Sequence, residues 1–69
     1  MDVKKLIDDE YEAIRGYEEA IETEDNKEII KVYENIIVDE KRHVQMLKKI
    51  ESGELRAMSL FGLGGGKNE

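Results

Sequence analysis

Glu10, Glu40 and His43 are the residues of this chain whose types and spacing could do chemistry. Glu40 and His43 form a Glu-x-x-His pair inside an otherwise apolar helical stripe, and Glu10 holds the matching place in an earlier stretch. Residues three apart on a helix share a face, so this carboxylate and imidazole can reach the same or adjacent ions. A carboxylate removed from water without a partner is costly, and groups so placed are usually paired or bound to metal. Oxygen and nitrogen ligands without thiolate suit iron(II), manganese or zinc.

Two helices must position these groups. The chain divides into a stretch from about Asp2 to Thr23, a second from about Asn26 to Ser52, and a tail from Gly53. The segment Thr23-Glu24-Asp25-Asn26 is the one plausible break, with Asp25 as the expected cap of the second helix and Glu28 completing a capping-box pattern. A connection this short forces an antiparallel hairpin. At about 100° per residue, Val3, Leu6, Ile7, Ala13, Ile14, Tyr17, Ala20 and Ile21 fall within roughly 80° of Glu10. In the second helix Ile29, Ile30, Val32, Tyr33, Ile36, Ile37, Val44, Leu47 and Ile50 share the face of Glu40, and so does His43. Each stripe is interrupted by acid.

The hairpin sets those interruptions opposite each other. Measured from the turn centre between Glu24 and Asp25, Glu10 and Glu40 differ in height by one residue, about 1.5 Å of helix rise. His43 follows one turn along. Tyr17 and Tyr33 are level about two turns nearer the loop. They are packing residues first and candidate hydrogen-bond donors to the carboxylates second. The nearby lysines offer no ion pair, because Lys41 lies about 100° off the stripe and Lys31 points away. Gly16 interrupts the first helix at a cost of about 1 kcal/mol, either allowing a close helix approach or merely tolerated.

One hairpin supplies two carboxylates and one imidazole, too few for two metals. A two-fold dimer would supply four carboxylates and two imidazoles, the ligand set of di-iron four-helix bundles. Dimerisation would also bury an apolar stripe that a lone hairpin cannot cover. The expected fold is therefore all-α: an antiparallel two-helix hairpin over residues 1–52 that dimerises into a four-helix bundle, followed by a tail over residues 53–69.

Bulk composition agrees. With 69 residues the chain makes at most one domain, and its core is marginal alone. It has no cysteine, which excludes disulfides, zinc-thiolate sites and iron–sulfur clusters, and no proline, which suits uninterrupted helices. A formal net charge of −6 argues against nucleic acid and anionic membrane surfaces and favours cations. No run is long enough to span a membrane and no signal peptide is evident, so a cytoplasmic location is expected.

The run from Glu10 through Tyr17, with Asp39-Glu-Lys-Arg-His43, resembles the ferritin-like superfamily over about residues 3 to 51, most of all the rubrerythrin type and the two-helix encapsulated ferritins. The thirty-residue step from Glu10 to Glu40 is similar to that family's spacing, as is Tyr17 seven residues after the first ligand. The resemblance implies that Glu10, Glu40 and His43 are metal ligands of a di-iron centre built across a subunit interface. It further implies oxidation of iron(II) by oxygen or peroxide for iron sequestration. Peroxide reductases and manganese catalases of the superfamily share this ligand set, but a chain without cysteine carries no rubredoxin-like electron path. The encapsulated ferritins usually have a substantial third helix, whereas here only Glu54 to Gly62 is available for one.

The tail holds Leu55, Met58, Leu60, Phe61 and Leu63 before Gly64-Gly65-Gly66. It either packs on the bundle or its assembly, or lays Leu60, Phe61 and Leu63 into pockets of a partner. The second use resembles the targeting peptides of encapsulin-shell cargo and would place the protein inside a nanocompartment. Two rivals from other classes stand beside the ferroxidase reading. One is a non-catalytic interaction module whose acids make interchain ion pairs. The other is a structural zinc or manganese bundle.

Overall fold

The protein's structure, a computed structural model, describes residues 2–55. The expectations for Leu60, Phe61 and Leu63 lie outside those residues. Among the described residues the fold consists of two α-helices packed against each other, α1 (Val3–Thr23) and α2 (Lys27–Glu51), with no strand.

Local signals set the helix ends. Asp2 caps α1 by accepting the backbone N–H groups of Lys4 and Lys5 at 3.1 and 3.4 Å. These are donors that the first turn leaves without helical partners. The cap of α2 is Asn26, not the expected Asp25. Asn26 Oδ1 accepts from the N–H of Glu28 at 2.8 Å and of Ile29 at 3.3 Å. The helix begins one residue later than the capping-box pattern requires, so Ile29 stands where the reciprocal glutamate would be. Within the connection the Glu24 carboxylate accepts the Asn26 N–H at 3.0 Å. At the far end the Ser52 N–H returns to the Lys48 carbonyl at 2.9 Å. Gly53 then turns the chain out of α2 with φ of 81°, a left-handed conformation open to glycine at little cost. Lys48 and Lys49 sit in this last turn, where the helix dipole favours cations.

The three-residue connection makes the helices antiparallel, and their shared core is Ile7, Ile14, Ile37 and Val44. Val3, Tyr17, Ile21 and Leu47 pack around it. Tyr17 and Tyr33 lie ring to ring at 5.9 Å between centroids, tilted by 39°. One edge of the hairpin is closed by the Lys48 ammonium, 5.8 Å over the Tyr11 ring. The other edge is bare. Val32, expected on the buried stripe, is 55% exposed, and Ile29 and Ile50 are exposed with it. Each of the two helices covers only one flank of the other's stripe, so residues displaced toward the open flank stay in solvent. Gly16 meets nothing within 4 Å even with a Cβ added, so no close approach within the hairpin requires it.

Candidate metal centre

The core geometry brings Glu10 of α1 to the same height as Glu40 and His43 of α2. One potential ligand atom from each of the three lies within 4.8 Å of the others. No further group of three or more Asp, Glu or His of this kind occurs among the described residues. All three are only partly buried, with side-chain exposures of 27%, 20% and 46% for Glu10, Glu40 and His43. They therefore lie at the boundary between the hairpin core and its bare edge.

His43 turns Nδ1 toward the acids, 3.1 Å from Glu40 Oε1 and 3.5 Å from Glu10 Oε1. The shorter contact is a hydrogen bond. The longer one is not, and Glu10 Oε1 is a buried side-chain oxygen with no hydrogen-bond partner. An orphaned carboxylate oxygen facing a second carboxylate needs a cation or a proton between them.

The titration of the pair reflects this. A hydrogen bond to Glu40 holds the Glu10 proton above the ordinary carboxyl range, and burial and the Glu40 charge push the same way. The hydrogen bond from Glu10 lowers the pKa of Glu40, with burial opposing and His43 assisting. Two acids whose environments drive their pKa values apart in this way titrate as a coupled pair.

No lysine or arginine competes for these groups among the described residues. Lys5 pairs with Asp9 at 3.0 Å and Arg42 with Asp39 at 3.3 Å, both within one helix and exposed. The acids preceding Glu10 and Glu40 are thus neutralised locally. Among the described residues, Glu10 and Glu40 themselves have no basic side chain beside them other than His43. An intrachain lysine pair does not account for the half-buried acids. Tyr17 and Tyr33 pack on each other, and neither hydroxyl hydrogen-bonds Glu10, Glu40 or His43 among the described residues. No helix among the described residues is long and apolar enough to cross a membrane.

A sequence model of the rubrerythrin family matches residues 3–51, the whole of the hairpin. No curated protein and no solved structure matches the chain.

Proposed function

Since the chain belongs to the rubrerythrin family, we propose that Glu10, Glu40 and His43 are half of a di-iron centre that a second copy completes, and that the assembled protein is a ferroxidase. The observation that carries this reading is the buried, unpartnered Oε1 of Glu10 set against Glu40 and the Nδ1 of His43. The donor set fits the group: carboxylate oxygens and one imidazole, without thiolate, suit iron(II) and also accept manganese or zinc.

Glu40 would be the bridging ligand, with Glu10 and His43 as terminal ligands. In the metal-free protein Nδ1 of His43 is turned toward the acids and bonded to Glu40, a contact that would be exchanged for the metal on binding. Any proton held between the two acids would leave on metal binding, since ligands coordinate in their deprotonated form. Iron(II) bound by these residues and their copies would supply the two electrons needed to reduce oxygen or peroxide, one from each iron. One chain offers three ligands and cannot hold two ions, so the centre belongs to a dimer. The chain's role is iron oxidation leading to sequestration or protection from peroxide, in the cytoplasm or within a protein shell reached through Leu60, Phe61 and Leu63.

Anaerobic iron(II) titration tests this. Binding is expected to saturate near one iron per chain and to raise the melting temperature by mass action. Admission of oxygen or peroxide then oxidises the bound iron. Absence of binding at micromolar iron, or binding unchanged in Glu40→Ala and His43→Ala, overturns the proposal.

A further inference from the structure

The end of the hairpin farthest from the turn carries an open crevice of about 410 Å³. Asp2, Val3 and Lys4 line it from the start of α1, and Ile50, Glu51 and Gly53 from the end of α2 and the turn after it. Val3 packs on the hairpin core, so the floor of the crevice continues the apolar interior. Ile50 stands about one turn beyond Leu47, the last residue of α2 that packs on that core, and is 48% exposed. An aliphatic floor with a charged rim is the form of an interaction site.

The chain leaves α2 at the wall of this crevice, directed by hydrogen bonds. The Gly53 N–H donates to the Ile50 carbonyl at 3.1 Å. The Ser52 hydroxyl donates to the Lys49 carbonyl at 3.1 Å and accepts the Glu54 N–H at 3.2 Å. It thereby links the two backbone groups that a Schellman cap pairs directly. Residues 56–69 lie outside the described residues, but their sequence turns apolar at once, with Met58, Leu60, Phe61 and Leu63. Leu60 and Phe61 follow Leu55 by a reach of about 8–9 Å as helix and up to about 20 Å extended. Both spans suffice to return them to the crevice beside Gly53. An apolar cavity of about 150 Å³ already admits a benzene ring, so this crevice has room for the ring of Phe61 and an aliphatic neighbour. Its rim also suits the segment: Asp2 and Glu51 form no ion pair among the described residues, and Arg56 brings a cation to them.

We propose that this crevice is the seat of the chain's own C-terminal segment, which folds back at Gly53 and lays Leu60 and Phe61 on Val3 and Ile50. Covering Ile50 and the Phe61 ring together removes the apolar area of both from water. The seat lies about 15 Å along α2 from Glu40, so it stands apart from the metal centre and does not depend on it. It has a consequence for docking to a shell. The side chains that occupy the crevice are those that would enter a partner's pockets, and one residue cannot fill both places. The seat therefore has to open before Leu60, Phe61 and Leu63 engage another protein, and the hairpin end competes with that partner for them.

Tryptophan fluorescence tests the seat, and the chain has no tryptophan to confuse it. In the full-length Phe61→Trp protein the emission is expected to be blue-shifted from that of free tryptophan and shielded from acrylamide. Ile50→Asp, at an exposed position, should return it to the free value with helicity by circular dichroism unchanged. Ile29→Asp is the control, since Ile29 is also exposed but lies at the turn end of α2. It should leave the blue shift in place, and so should dilution. As a second measurement that needs no change in the hairpin, Leu60→Asp/Phe61→Asp in the full chain should lower the melting temperature by roughly 4–8 °C. Emission like that of free tryptophan in Phe61→Trp, or a melting temperature unmoved in the double variant, overturns the seat. A blue shift that fades on dilution or in Ile29→Asp assigns the segment to a second copy and overturns it as well. So does a blue shift that survives Ile50→Asp.

Discussion

Glu10 Oε1 and His43 Nδ1 face each other across the two helices at 3.5 Å without forming a hydrogen bond, although the oxygen is buried. The hairpin core holds this contact in place: Ile7 and Ile14 on one side of Glu10, Ile37 and Val44 on the corresponding side of Glu40, leave neither helix free to turn away. Local stability is given up here, and activity and stability should respond to substitution in opposite directions.

Glu10→Gln makes that opposition measurable. A glutamine amide can donate to Glu40, replacing a carboxylate that has no partner for Oε1. The metal-free protein should gain about 1 kcal/mol, read by thermal melts in chelator. Iron(II) affinity should fall about tenfold or more, read by titration. A Glu10→Gln variant that is both less stable and equally good at binding iron contradicts the ligand role.

Protonation gives a second test. The raised pKa of Glu10 means its contribution to stability is full below the ordinary value of 4.5 and is lost as pH rises through its folded pKa. The lowered pKa of Glu40 means its contribution is full above 4.5 and is lost as pH falls through its own folded value. Metal-free protein is therefore expected to lose stability from Glu10 as pH rises above 4.5 through its folded pKa. With iron present the trend is expected to reverse, because the acids bind metal only when deprotonated. Melting temperatures across this range, with and without metal, give both slopes.

The α2 cap separates Asn26 from its neighbour. Asn26→Ala removes the acceptor of two backbone N–H groups and should cost about 1 kcal/mol. Asp25→Ala, at an exposed position that makes no cap, should change stability by less than about 0.5 kcal/mol. Denaturant midpoints distinguish the two.

Gly16→Ala distinguishes the single hairpin from its assembly. Within one hairpin a Cβ at this position meets nothing, and alanine is the better helix former, a gain of about 1 kcal/mol. In a chain of this size that corresponds to a rise of roughly 4–8 °C in melting temperature, expected in dilute protein. At concentrations where two copies associate, the added methyl meets the partner's α1 and the gain should shrink or reverse. Melts over a concentration series read the difference, and a gain independent of concentration argues against a close approach at Gly16.

Residue order alone dictates the two helices, the connection and the meeting of Glu10, Glu40 and His43. Those depend on a period of 3.6 residues and on equal distances from a turn, and both can be counted along the chain. The start of α2 cannot be counted in this way. Asp25 and Asn26 are equally capable caps, and only the path of the connection settles which oxygen reaches Glu28 and Ile29. Nor does phase alone separate Ile37 and Val44, which are buried, from Val32 and Ile50, which share the same stripe and are exposed. A stripe about 160° wide is wider than one neighbouring helix can cover, so the packing of α1 on α2 selects which half goes inside. The structure places the orphaned oxygen of Glu10 at the boundary between those halves, with one side against α2 and the other open.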